Sequence, residues 1–187
     1  TPVSVGTADA ATEAIAAGAM DPGDLMIMYA STMFLIQTTT KYHRHRDLWA
    51  SVHVKPGQAI LAAGTSTSGG LLRWFRDEFS SAELESEANS GVNAFQLLSQ
   101  QAATVPAGSN NLVTLPYFSG ERTPINDARA KGIIFGLTLA HGRHHVYRSF
   151  LESIGYSVRH NIETMGEVNA FPKRLIAIGG GTQDDLW

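Results

Sequence analysis

Val5-Gly-Thr-Ala-Asp-Ala-Ala-Thr-Glu-Ala-Ile-Ala-Ala-Gly18, followed after a short turn by Asp24-Leu-Met-Ile-Met-Tyr-Ala-Ser-Thr-Met-Phe-Leu-Ile-Gln-Thr38, decides how the chain is built. The first half predicts a helix over 9–19. Its face of Ala10, Ala11, Ala14, Ile15 and Gly18 has almost no bulk, so a neighbour should pack close against it. The second half holds two runs, 25–30 and 33–37, that are apolar at nearly every position, which predicts strands covered on both faces. The small polar pair Ser31-Thr32 joins them as a hairpin. Asp9 stands where a glycine-containing turn enters the helix, and on spacing alone it reads first as an N-cap, worth ~1 kcal/mol. A second reading makes it a general base for a hydroxyl nucleophile, a role worth roughly 10²–10⁴ in rate. Ser31-Thr32 is likewise either plain turn chemistry or a cradle for phosphate oxygens.

Working outward, 38–47 is a polar, basic surface connection, and 58–63 is a third short strand after Pro56-Gly57. The small-residue loop 64–70 opens a helix whose stripe is Leu71, Leu72, Phe75 and Phe79. The acidic stretch 80–89 reads as a solvated helical turn, and Val92, Phe95, Leu98 and Ala102 mark another amphipathic helix. After a turn at 106–111, 112–118 is a short strand and 119–132 a long polar loop, of a length that is usually functional or lies between domains. The longest helix runs over 143–165 with Val146, Phe150, Ile154, Val158 and Ile162 in its stripe. A buried strand over 175–178 ends in Gly179-Gly180-Gly181. Hairpins followed by strand–helix alternation predict an α/β domain with a mixed sheet and flanking helices.

The 187 residues fit one domain or a little more, and 43% hydrophobic residues suffice for a core. No apolar run is long enough to span a bilayer, and the first residues carry no basic, apolar leader. The absence of cysteine excludes disulfides and thiolate metal sites and leaves the cytoplasm as the default location. A formal charge of -3 gives no reason to expect nucleic acid or an anionic membrane as partner. The chain starts without methionine and stops at a glycine-rich turn ending in Trp187, so it is expected to be a piece of a longer protein.

Gly69-Gly70 and Gly179-Gly180-Gly181 could each let a backbone approach a nucleotide and aim a helix N-terminus at phosphate. Neither follows the G-x-G-x-x-G or G-x-x-x-x-G-K-[ST] pattern, which removes the dinucleotide and P-loop readings. His43, His45, His141, His144 and His145 lack carboxylates at ligand spacing, so no metal site is expected.

Leu115-Pro-Tyr-Phe-Ser-Gly-Glu-Arg-Thr-Pro-Ile-Asn-Asp-Ala-Arg-Ala-Lys-Gly-Ile-Ile-Phe-Gly-Leu-Thr-Leu139 resembles the xylulokinase-type loop and following strand of the FGGY carbohydrate kinases. Ser68-Gly-Gly-Leu-Leu-Arg-Trp-Phe-Arg-Asp77 resembles that family's helix beside the nucleotide, and Ile178-Gly-Gly-Gly-Thr-Gln-Asp-Asp-Leu-Trp187 its adenosine-binding turn. Order and spacing agree across essentially the whole chain. The resemblance implies an actin-like ATPase fold of ribonuclease-H-like domains, with 1–187 an incomplete C-terminal nucleotide-binding domain and the N-terminal sugar-binding domain outside it. It implies that Asp9 is the base that deprotonates the sugar hydroxyl and that Ser31 and Thr32 form a phosphate turn. It also implies that Gly69, Gly70, Gly180 and Gly181 contact nucleotide. Cofactors would be ATP and magnesium, and the partners a small sugar and ATP, with a homodimer as a further expectation.

The chain departs from the family pattern at Ala10, where relatives carry an amide that can reach the sugar, and at Ala30, where the phosphate turn usually has glycine. Ala30 is tolerable there only if its φ stays negative. The expected activity is phosphorylation of a pentulose such as xylulose, with this piece inactive by itself. A kinase for another polyol or sugar acid, such as glycerol or gluconate, and a non-catalytic actin-like nucleotide-binding module remain open beside it.

Overall fold

The computed structural model describes residues 6–187; Thr1–Val5, and with them part of the expectation about a leader, lie outside the described residues. A five-stranded mixed sheet organises them, built from β1 (Asp24–Tyr29), β2 (Met33–Thr39), β3 (Trp49–Val52), β4 (Ala59–Thr65) and β7 (Arg174–Ile178) in the order β3-β4-β2-β1-β7. The hairpin β1–β2 is antiparallel with Leu25 opposite Gln37 and Tyr29 opposite Met33, and β7 joins β1 in parallel. A separate two-stranded ribbon pairs β5 (Val113–Leu115) with β6 (Ile133–Phe135).

Side-chain alternation along β1 explains its continuous hydrophobicity. Leu25 and Ile27 face the larger core, with Leu35, Leu61 and Ala63 of neighbouring strands. Against them pack α2 (Gly69–Phe79), α4 (Ala94–Ala102) and α5 (Arg143–Gly166), through Phe75, Leu98, Phe150 and Ile154 among others. Met26 faces the opposite side, where Ile36, Ile60 and Ala62 meet Ala11, Ala14 and Ala19 of the α1 region. The lack of bulk predicted on that helix therefore serves close helix–sheet packing.

α1 covers Asp9–Ala16, shorter than the predicted 9–19. Gly18 adopts φ 79 and is exposed, so it terminates the helix and does not pack. Asp9 is not the N-cap: Ala8 holds that position, and Asp9 occupies the first helical residue. α3 (Ser81–Ser90) is a full helix whose Glu83 is buried. Glu83 accepts from Arg143 Nη1 at 2.7 Å and from Gln101 Nε2 at 2.7 Å, tying α3 to α4 and α5, so the acidic stretch is anchored as well as solvated.

Two further expectations are corrected. Strand β3 escaped the sequence reading because Trp49-Ala-Ser-Val52 is a short, exposed edge with no apolar run. Strand β7 is not buried: it lies at the opposite edge of the sheet, and Leu175 is 57% exposed. Only Ile176 and Ile178, on the α1 side, pack against the core.

Candidate nucleotide site

A cavity of about 960 Å³ opens at the hairpin end of the sheet, at the upper end of the range for small-molecule sites. Four segments far apart in sequence wall it: Ser31 of the hairpin, Gly69 and Arg73 of α2, Gln96 and Ser99 of α4, and the terminal turn from Gly180 to Trp187. Ser31, Gly69, Gly180 and Gly181, all singled out from sequence, line this one space, whereas Thr32, Gly70 and Asp9 do not.

The hairpin is fixed by an unusual use of a helix start. The N–H groups of Ser68 and Gly70 donate to the Ser31 carbonyl at 3.0 and 2.9 Å, and that of Gly69 to the Ala30 carbonyl at 2.9 Å. The free amides of the first turn of α2 are thus satisfied by the hairpin. This corrects the expectation that this helix aims its N-terminus at phosphate. It also explains the paired glycines: a Cβ on Gly69 would lie 2.7 Å from the Ala30 oxygen, and one on Gly70 3.0 Å from the Ser31 oxygen. Ala30 is not among the residues of positive φ, so its methyl imposes no backbone strain on the turn.

The terminal turn closes the opposite wall. Gly179 has φ 94, and a side chain there would collide with the Tyr29 carbonyl, so the strand can leave the sheet over β1 only with glycine. Asp184 accepts from the Leu186 and Trp187 amides at 2.9 and 3.2 Å and from the Ser99 hydroxyl. These bonds fold the turn back so that Trp187 meets Tyr29 edge to face at 5.2 Å. Two polar atoms of this wall, the Tyr147 hydroxyl and the Trp187 indole nitrogen, are buried without a partner among the described residues. Burial pushes the Tyr147 hydroxyl pKa up, so it stays protonated as a donor. Arg73 lines the cavity and makes no ion pair among the described residues, leaving a cation available to an anionic ligand.

Asp9 is exposed, and its Oδ1 accepts from the Ala10 amide at 2.7 Å. α1 lies on the sheet face opposite the main core. Its far end is tied to the Asp24 end of the sheet, since Thr38 Oγ1 donates to the Ala19 carbonyl at 3.0 Å and Arg174 Nη2 to that of Gly18 at 2.8 Å. The helix therefore carries Asp9 about 12 Å away from that end. Ala10 packs against the sheet-side cluster.

Sequence reasoning missed the α4 wall. Gln96 and Gln100 are exposed polar residues beside an apolar stripe, the pattern of any surface helix, and nothing in that pattern announces a cavity. Tyr147 carried no signal either, since it reads as one more core aromatic of α5. Two of the histidines are used structurally. His145 Nδ1 accepts from the Gly142 amide at 3.0 Å, and His141 Nε2 meets the Asn110 carbonyl at 3.0 Å. Among the described residues no group of three or more His, Cys, Asp or Glu could hold a metal ion, and no helix is long and apolar enough to cross a membrane.

Comparison with known proteins places this geometry. Residues 26–187 match the model of the C-terminal domain of the FGGY family of carbohydrate kinases. A xylulose kinase of Bacillus subtilis is 30% identical over all of this chain and 36% of its own length. A gluconokinase of the same organism is 27% identical over all of the chain and 37% of its length. The crystal structure of xylulose kinase from Rhodospirillum rubrum superposes with a TM-score of 0.84 at 30% identity, over 97% of this chain and 35% of that one. The chain thus spans little more than a third of the length of these relatives. It belongs to the FGGY family of carbohydrate kinases, matching their C-terminal domain.

Proposed function

We propose that this chain supplies the nucleotide-holding part of a kinase that transfers the γ-phosphoryl group of ATP to a hydroxyl of a sugar, a pentulose such as xylulose. The observation that carries this reading is the single cavity in which Ser31, Gly69, Gly180 and Gly181 converge, large enough for a nucleotide and walled by an available arginine. In this reading the terminal glycine turn and the α4 wall hold the nucleoside, and the hairpin meets the phosphates. Asp9, exposed at the start of α1, takes the proton from the acceptor hydroxyl as phosphoryl transfer proceeds. The described residues offer no cage for magnesium, which would enter with the phosphates, the way this ion is ordinarily held.

A second reading, a kinase for a sugar acid such as gluconate, draws on the gluconokinase relative that aligns over the whole chain nearly as well. Ala10, where the family pattern has an amide toward the sugar, leaves both substrates open. Calorimetric titration of this chain with MgADP tests the nucleotide reading. Weak binding is expected of a chain that spans little more than a third of the length of its kinase relatives; no binding at millimolar nucleotide refutes the reading. A panel of ketoses, polyols and aldonates tested on the full-length protein then separates the two substrate readings.

A further inference from the structure

The 119–132 loop contains two buried polar side chains that bridge to distant segments. Glu121 is 4% exposed and Thr123 1% exposed. The Glu121 carboxylate accepts from the Ser66 amide at 2.9 Å and from the Arg122 amide at 2.7 Å, both through Oε1. Its second oxygen is buried and has no partner among the described residues. Thr123 Oγ1 accepts from the Gly64 amide at 2.7 Å and donates to Asn161 Oδ1 of α5 at 2.7 Å, while the Thr123 amide donates to the Gly64 carbonyl at 3.1 Å.

These bonds fall on Gly64, near the end of β4, and on Ser66, in the short connection from β4 into α2. That connection delivers Ser68, Gly69 and Gly70, whose amides hold the Ala30 and Ser31 carbonyls at the cavity edge. Two sets of hydrogen bonds therefore converge on the connection, one from α5 through Asn161 and Thr123 to Gly64 and one from Glu121 to Ser66, and the connection in turn holds the hairpin. Burying a carboxylate is costly and raises its pKa, and no arginine or lysine forms an ion pair with Glu121 among the described residues. Backbone amides are all it grips. A carboxylate buried at such cost, whose one bond beyond its own loop is to the Ser66 amide, acts on what that connection carries.

We propose that Glu121 and Thr123 are positioning residues that set the hairpin against the cavity through the 64–68 connection. This rests on the nucleotide reading only for its effect on binding, so the test has two readouts. The first is amide hydrogen exchange of the ligand-free chain at Ser68, Gly69 and Gly70. Glu121→Ala should raise exchange there about tenfold or more, the loss expected for a hydrogen bond to a charged acceptor. Glu121→Gln, which keeps an acceptor oxygen for Ser66, should stay within about threefold of the wild type. The second readout is MgADP affinity, which should weaken about tenfold in Glu121→Ala and recover in Glu121→Gln. Asp24→Asn, a change at the opposite end of β1, serves as the stability control and should leave both readouts in place. Unchanged exchange at 68–70 in Glu121→Ala overturns the proposal, whether or not nucleotide binds. Raised exchange with undiminished affinity overturns the link to the cavity. Raised exchange in Glu121→Ala, together with a wild-type chain that binds no nucleotide, leaves the positioning intact and sinks the nucleotide reading alone.

Discussion

Gly69→Ala and Gly155→Ala are the same chemical change with opposite expected signs. A methyl on Gly69 would lie 2.7 Å from the Ala30 carbonyl oxygen and 3.4 Å from its carbon. Ordinary contact begins at 3.4 Å, 0.7 Å farther out, and the obstacle is backbone in a hydrogen-bonded hairpin, not a flexible side-chain tip. Opening that gap also stretches the 2.9 Å bond from the Gly69 amide to Ala30. Overpacking of this kind costs ~1–3 kcal/mol, and the helix-propensity gain of up to ~1 kcal/mol offsets part of it at the first residue of α2. The net expectation is destabilisation of ~1–2 kcal/mol. Gly155 sits inside α5, exposed, with nothing within 4 Å of a built Cβ. There the propensity gain stands alone, and stabilisation of about 0.5–1 kcal/mol is expected. Urea unfolding of both variants of this chain, with midpoints compared at unchanged m-value, reads the difference directly. A Gly69→Ala midpoint equal to or above the wild type would refute the claim that close hairpin approach selects the glycine.

Further expectations follow from individual side chains. Arg174 beside Asp24 holds its carboxyl at about 2, below the ordinary 3.8, by donating hydrogen bonds at 2.8 and 2.6 Å. A depressed folded pKa stabilises above the unfolded value and is lost as pH falls through the folded one. Denaturation followed from pH 5 to pH 2 should show that loss in the wild type and a smaller one in Asp24→Asn. The effect is at most about 2 kcal/mol, because half-exposed Arg174 is screened by solvent. Thr123→Val leaves the Gly64 amide and Asn161 without their buried partner and should cost ~1–3 kcal/mol in thermal or urea unfolding, with Thr123→Ser restoring most of it. Phe150→Ala opens the main core at a fully buried ring and should cost ~3–5 kcal/mol. In the full-length protein, Asp9→Asn should lower sugar-dependent ADP release roughly 10²–10⁴-fold if Asp9 is the base; an undiminished rate contradicts that role.

The parts of the fold legible in sequence were those set by local pattern. The apolar runs of β1 and β2 with Ser31-Thr32 between them required a hairpin covered on both faces, and the stripe of α5 required a long packed helix. Edges were harder to see. Trp49–Val52 pairs with β4 along an exposed rim, and Leu175 is apolar yet uncovered, because an edge position depends on neighbours and not on the strand's own residues. The candidate site was half legible for the same reason. Glycines at 69 and 180–181 stand out as a pattern, while Ser99, Gln100 and Tyr147 become cavity walls only when α4 and α5 close against the terminal turn. The 119–132 loop showed its length in sequence but not its purpose, which lies in bonds from Glu121 and Thr123 to residues more than fifty positions earlier.

The central claim is that the space between hairpin, α2, α4 and terminal turn holds a nucleotide, and amide chemical-shift mapping during MgADP titration tests it most directly. The predicted result is saturable shifts at 29–31, 69, 96–100 and 180–187, with Asp24 and β3 unmoved. Shifts confined to α1 or β3, or none at millimolar MgADP, would contradict it.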